Sequence, residues 1–396
     1  MSITKPTVAL TGASGGIGQA LLPRLAEIFC VKALFRATSR GVPFARDLGC
    51  QIVVGNLEQK RAVEELVCGA EIVIHCAASV TRALGHAHVT NVEGTRRLAE
   101  LAVSAGCRRF VHVSSIAVYL GNVGIENIFS EGVAVSPNAL MDIYSRTKLL
   151  GEQAIRATAE GTQLETVILR PTCVYGPGID SWTMIPLQAI AKGLPLLIGD
   201  GRGEIDVIYV DDVARAILLA ATSDRAAGQT FNLGGQTLSA VEFLGYYARL
   251  TGRKLRHFSR PLFEAIATAG GLAQRVVPFP PPAEPNRLRL LQFCSDGRSG
   301  SPKFPSTKIR ELLGFEPDVS LAEGMLRTQL WLARDGLLKF HRTFEHGERN
   351  YRFRPAVTVY PESETGLQEA VRFALEQKRS VRVVGSLHSM SPLAAT

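Results

Sequence analysis

The 396-residue chain, 46% hydrophobic and 20% charged, is long enough for a full core in two or three domains and has no run of about 18 uninterrupted apolar residues to span a membrane. Its net charge of +8 gathers between Arg249 and Arg310, where twelve Lys/Arg face Glu264, Glu284 and Asp296 for a local +9, leaving the remainder near −1; this reads as a solvated basic face or as attraction to an anionic substrate group or a lipid surface, and the lack of a helix-turn-helix, finger or aromatic-basic ribbon argues against nucleic acid. Met1 to Pro6 lacks the apolar core of a signal peptide, and the seven cysteines (30, 50, 68, 76, 107, 173, 294) form no Cys-x-x-Cys pair, so buried reduced thiols, no metal and a cytoplasmic location are expected.

In chain order, Val8-Ala9-Leu10 predicts a strand, Thr11-Gly12-Ala13-Ser14-Gly15-Gly16-Ile17-Gly18 a tight turn, and Gln19 to Ile28 a helix. Gly12 lets the chain reverse, Gly15 lets a pyrophosphate approach the backbone, and Gly18 lets helix and strand pack closely, while the helix N-terminus offers N–H groups to the anion. The stretch reads as a dinucleotide site. Val31 to Arg36 is a second strand, whose end carries Arg36, with Ser39 and Arg40 just beyond. Cations there suit a 2′-phosphate, where a carboxylate would suit the ribose hydroxyl of NAD, so NADP is the expected cofactor and NAD the alternative.

Gln51 to Leu57 and Glu71 to Ala78 predict further strands, with a helix from Gln59 to Val67 between them. This alternation implies a parallel sheet with right-handed crossovers, and ligands bind beyond the carboxyl ends of such strands. Asn56-Leu57 and Ala77-Ala78 therefore lie where adenine and the dinucleotide backbone pass. His75, inside an apolar run, reads as a core imidazole satisfied by a backbone group. A helix over Val89 to Ser104 leads to the strand Arg109 to Ser115, which ends in two hydroxyls, and Ile143 opens a helix running to Ala159. Tyr144 and Lys148, four residues apart, share one helical face. A phenol of ordinary pKa about 10 is a poor acid or base at neutral pH, but a nearby ammonium favours its phenolate and can bond a nicotinamide ribose.

With Thr11-Gly12-x-x-Gly15-x-x-Gly18, Ser115, Tyr144-x-x-x-Lys148 and Arg170-Pro171-x-x-Val174-Tyr175-Gly176-Pro177-Gly178 in this order, the chain resembles the extended short-chain dehydrogenase/reductase family over about 5–338. This is the NAD(P)-dependent epimerase/dehydratase group, with its 3β-hydroxysteroid dehydrogenase-like branch. The resemblance implies an α/β fold, a Rossmann doubly wound parallel sheet with a smaller interleaved α/β substrate lobe. The core is expected over about 1–170 and 205–235, and the lobe over 171–204 and 236–338. It further implies that Ser115 orients the substrate oxygen, Tyr144 moves its proton, and Lys148 holds cofactor and tunes Tyr144, with Asn91, Pro171 and Val174 among the cofactor contacts. Ile205 precedes Asp206 where sugar-nucleotide epimerases of the family carry an Arg that grips a diphosphate, and Asn56 stands where the family has Asp.

The expected activity is hydride transfer between the nicotinamide cofactor and a secondary alcohol or ketone, on a lipophilic, sterol- or prenol-like small molecule. Nucleotide-sugar epimerase or dehydratase action is one alternative, and a non-catalytic NADP(H)-binding module regulating a fused flavin oxidase is another. A homodimer is the expected assembly. The apolar Pro261 to Pro282, inside the basic region, reads as a substrate entrance or peripheral membrane contact, or else as a covered helix and polyproline turn.

After a charged linker over 339–352, Pro355 to Ser363 predicts a strand and turn, Glu364 to Gln377 a helix, and Val381 to Val384 a strand entering Gly385-Ser386-Leu387-His388-Ser389. Residues 353–396 resemble the beginning of the FAD-binding domain of FAD-linked oxidases of the aldonolactone oxidase type, in which this turn cradles the FAD pyrophosphate. The reading is a fusion protein cut short or a remnant, with FAD only in a full-length fusion and no flavin chemistry in this chain.

Overall fold

The computed structural model of the chain describes residues 5–80, 84–120, 127–137, 142–259, 301–337 and 357–381, together with 261–262, 265, 344–345, 352–353 and 383. Its first half alternates strand and helix: β1 (Thr7–Thr11), α1 (Gly16–Ile28), β2 (Cys30–Phe35), α2 (Val42–Asp47), β3 (Gln51–Val54), α3 (Lys60–Val67) and β4 (Ile72–His75). There follow α4 (Leu84–His88), α5 (Gly94–Ser104), β5 (Arg109–Val113), α6 (Ile143–Ala159), β6 (Glu165–Pro171), β7 (Cys173–Tyr175), α7 (Ile185–Ala191) and β8 (Leu197–Ile198). Then come β9 (Glu204–Tyr209), α8 (Val210–Thr222), β10 (Thr230–Leu233), β11 (Gln236–Ser239), α9 (Ala240–Thr251) and β12 (His257–Phe258), and three later helices at Thr307–Leu313, Leu321–Arg334 and Glu364–Glu376.

Seven strands form one parallel sheet in the order β10-β6-β5-β4-β1-β2-β3. Side chains alternate across it: Val8 and Leu10 join the apolar layer under α1 and α8, while Ala9 faces the opposite layer with Val63, Leu98 and Ile155. The chain leaves β1 in one direction and β4 in the other, so the loops after these two strands open a crevice at their carboxyl ends.

The strand Glu204–Tyr209, in the stretch assigned to the core, pairs with β7 and β11 in a separate three-stranded sheet rather than joining the seven-stranded one, and β8 and β12 form a two-stranded ladder. The helix expected from Val89 starts earlier, at Leu84, and widens into a π-helical turn over Val89–Glu93 before α5. That turn lies against α6 at Gly151, where a Cβ would come within 2.7 Å of the Asn91 carbonyl oxygen. Among the described residues six cysteines are free, and Cys30 and Cys68 are exposed rather than buried. No described helix is long and apolar enough to cross a membrane.

Phe344–Glu345, within the expected linker, and Arg352–Phe353, at its end, form a short antiparallel ladder. Residues 357–360 form no strand. Val357 and Val359 pack on Leu326, Leu330 and Phe373, which covers apolar surface without needing a ladder. Arg327 reaches Glu369 at 3.2 Å and Arg334 reaches Glu376 at 2.8 Å, so the Glu364–Glu376 helix lies against Leu321–Arg334. Residues 382 and 384–396, with the Gly385, Ser386, His388 and Ser389 turn, lie outside the described residues, as does most of Pro261 to Pro282.

Candidate active site

The glycine turn is shaped by contacts that admit no side chain. Gly12 adopts φ +74°, and a Cβ there would come within 2.5 Å of Ala77 N; one on Gly18 would come within 2.2 Å of the Gly12 carbonyl oxygen. A Cβ on Gly16 would strike Gly178 at 2.7 Å. Gly15 differs: a side chain would meet only the Gly12 carbonyl, at 3.4 Å, so its face is open. Gly15 also caps α1 without any side-chain hydrogen bond, and no acidic residue stands in the first turn. Open face, uncapped helix start and local absence of negative charge fit a pyrophosphate.

Around this turn the other expected cofactor residues divide. Gly41 approaches the Ser14 Cα to 3.6 Å on an added Cβ, so the turn after β2, with Arg36 and Arg40 both exposed, lies beside the glycine turn. Ala77 touches Gly12, and Ala78 is exposed next to it. Asn56 uses its side chain locally, accepting from Glu58 N at 2.9 Å and Gln59 N at 3.2 Å at the entry to α3, and Leu57 is buried beneath. Asn91 is 3% exposed with its amide engaged by Ser79 and Thr147, which makes it a tie between elements. Pro171 and Val174 are buried where β6 and β7 end and begin. Ile17 is half-buried on α1.

The three residues expected to move a proton come together at the end of β5. Ser115 caps a single 3₁₀ turn, its Oγ accepting from Ala117 N at 3.1 Å, with its hydroxyl facing the Tyr144 phenol closely enough to lower the phenol's pKa. Asp142 accepts from Ser145 N at 2.7 Å and so starts α6 two residues before Tyr144. Desolvation pushes the Tyr144 phenol up to about 12, against the Ser115 hydroxyl and with the Asp142 charge. Lys148, 3% exposed, donates to the Val113 carbonyl at 2.7 Å, and burial draws its ammonium down to about 8. The depression of the phenol expected from Lys148 is thus not what this arrangement produces, because the ammonium is anchored on the strand below the phenol.

Beneath them lies a buried ionic network that the sequence reading missed. Arg170 grips Glu152 with two hydrogen bonds, at 2.9 and 2.6 Å, and donates to Tyr119 OH at 2.6 Å; Ser114 Oγ donates to Glu152 at 2.5 Å, and Tyr119 OH to Asn232 at 2.9 Å. Burial opposes the Arg170 charge, but the Glu152 carboxylate outweighs it and holds the guanidinium above its ordinary value. The signal was available, since Glu152 on a buried helix face and Arg170 in a buried strand demand partners.

The profile of the NAD dependent epimerase/dehydratase family matches residues 8–234, more than half the chain. The chain belongs to that family. Among relatives of this epimerase/dehydratase-family enzyme, 3beta-hydroxysteroid-dehydrogenase/decarboxylase isoform 2 of Arabidopsis thaliana is 32% identical over 298 residues, covering 70% of this chain and 51% of the plant protein, so the chain spans about half that relative's length. Ceramide reductase of Caulobacter vibrioides is 32% identical over 274 residues, 67% of this chain and 76% of the relative. The solved structure of MoeE5 in complex with UDP-glucuronic acid and NAD is 25% identical with a TM-score of 0.63, covering 83% of this chain and 99% of that one.

Proposed function

We propose that the chain is an NAD(P)-dependent oxidoreductase acting on a secondary alcohol or ketone of a lipophilic small molecule, with Ser115, Tyr144 and Lys148 as its proton machinery. The observation that carries this reading is the placement of Ser115 at the end of β5, where Lys148 of α6, one helical turn from Tyr144, reaches the Val113 carbonyl at 2.7 Å, across β4 from the open Gly15 face. The dinucleotide would be held by Thr11, Gly12, Ser14, Gly15, Gly16, Ile17 and Gly18, and when bound it supplies or accepts the hydride. Ser115 Oγ already accepts from Ala117 N, so its proton is left to orient either Tyr144 or a substrate oxygen. Tyr144, protonated at neutral pH, donates to the oxygen as a carbonyl is reduced and takes the proton back as an alcohol is oxidised. Lys148 contributes positive charge beneath the site, and this charge is lost as pH rises through about 8.

Arg36 and Arg40, exposed beside the glycine turn, support NADP over NAD. A lipophilic substrate is supported by Ile205, 4% exposed, which offers no cation to a diphosphate, and by relatives whose names are those of a hydroxysteroid dehydrogenase and a ceramide reductase. The likeness to MoeE5, solved with UDP-glucuronic acid, keeps a nucleotide-sugar epimerase or dehydratase as the second reading. No step is assigned to residues 385–389.

One panel separates these readings: hydroxysteroids, long-chain alcohols and ketones, aldehydes and UDP-sugars, each incubated with NADPH and with NADH, followed by absorbance and by product identification for redox-neutral turnover. Net cofactor oxidation or reduction with a lipophilic substrate, stronger with the phosphorylated cofactor and reversed in preference by Arg36→Asp, is the expected result. Turnover of UDP-sugars alone would replace this reading with the second.

A further inference from the structure

A line of hydrogen bonds that the proposed chemistry does not use runs from the glycine turn to α6. The backbone N–H of Ala77 donates to Thr11 Oγ1 at 3.3 Å, and Thr11 Oγ1 lies 2.6 Å from His75 Nδ1. On the far side of the ring, His75 Nε2 lies 2.9 Å from Thr95 Oγ1, which donates to the Asn91 carbonyl at 2.8 Å. The Asn91 amide then donates to Thr147 Oγ1 at 3.0 Å, on the α6 turn that also carries Tyr144 and Lys148. Thr11, His75, Thr95 and Thr147 are 0% exposed.

Proton counting fixes the roles. Thr95 has one hydroxyl hydrogen and directs it to Asn91, so toward His75 it can only accept, and Nε2 carries the hydrogen. A neutral imidazole then has a bare Nδ1, which takes the Thr11 hydrogen, and Thr11 in turn accepts from Ala77. This is the assignment that leaves no hydroxyl hydrogen idle. His112 stacks on the same ring with centroids 5.2 Å apart and competes for none of these bonds, since neither of its ring nitrogens has a partner among the described residues.

We propose that His75, as its Nε2–H tautomer, is a positioning residue that ties the dinucleotide turn to α6, so that the Gly12–Ala77 contact and the placement of Tyr144 and Lys148 are set by one hydrogen-bonded line. The role in cofactor affinity rests on the reading above that the turn binds NAD(P); the tie itself does not. Packing and hydrogen bonding make opposite demands at Thr95. Valine keeps the side-chain shape but removes the acceptor for His75 and the donor to Asn91, whereas serine keeps the hydroxyl and loses a methyl.

The test compares Thr95→Val and Thr95→Ser in the full chain by fluorescence titration with NADPH and NADH, and by amide hydrogen exchange of residues 143–148 without cofactor. Loss of a buried hydrogen-bond partner should weaken cofactor binding about tenfold in the valine variant and speed exchange over 143–148 by a similar factor. The serine variant should stay within about twofold of wild type in both. Valine behaving as wild type, or serine failing as valine does, overturns the proposal. If Thr95→Val does not fold, Thr147→Val and Thr147→Ser interrupt and restore the line at its other end with the same expectations. Wild-type protein that binds neither cofactor would defeat the cofactor reading, and the exchange comparison would then decide the tie alone. Neither readout requires Tyr144 chemistry.

Discussion

His112 is 1% exposed on β5, and both its ring nitrogens lack a partner among the described residues. Burial holds it well below the ordinary histidine range, with Lys148 and His75 adding to the depression, and it draws His75 down to about 3. The folded protein therefore binds fewer protons here than the unfolded chain, so this stability is complete above pH 6.5 and is lost as pH falls below it. His112→Phe keeps an aromatic ring on His75 and removes two unsatisfied nitrogens, which should raise stability at pH 7 by about 1 kcal/mol. It should also remove up to one proton from the acid slope, about 1.4 kcal/mol per pH unit, in urea unfolding at pH 7, 6 and 5. Equal slopes in variant and wild type would contradict this. At this scale the helical spacing of Tyr144 and Lys148 and the strand-end position of Ser115 were legible because both are local features. His75 was legible as a core residue, but its partners were not, since Thr11 and Thr95 reach it from other elements and side chains replace the expected backbone group.

Helix α6, expected from Ile143 to about Ala159, spans those residues, with Asp142 as the cap the structure adds, and the same helix shows what sequence hides. Glu152 faces inward and meets Arg170 of β6, while Arg109 of β5 is fully buried at the other end of the sheet, pairing with Glu165 and donating to the last carbonyls of α8. These pairs lock helix to strand. Arg170→Met would leave Glu152 as an uncompensated buried charge and should cost about 3–5 kcal/mol, of which the double variant with Glu152→Met should recover a large part. Denaturant unfolding of the two single variants and the double tests this, and a loss under about 1 kcal/mol in Arg170→Met would contradict it. The position of Glu204–Tyr209 was illegible for a different reason. Its partners, Cys173–Tyr175 and Gln236–Ser239, lie about 30 residues away on either side, and only their pairing, not any local pattern, moves the strand out of the main sheet.

For the whole molecule, sheet order does most of the positioning. With β4 between β1 and β5, the glycine turn, the Ala77 loop and the Ser115 end lie on neighbouring strands, and α6 returns Tyr144 and Lys148 to that edge. The βα rhythm made this arrangement readable from the sequence, whereas the substrate lobe, with long-range pairing and residues 266–300 outside the described part, gave only composition and charge. The central claim is that this shared edge is an acid/base site beside a dinucleotide. Its most direct test is the turnover of Tyr144→Phe against wild type on a substrate that the panel identifies, with cofactor affinity measured on the same samples. The account predicts a fall in turnover of about 10²–10⁴ with cofactor affinity within about twofold; near-wild-type turnover in Tyr144→Phe would contradict it.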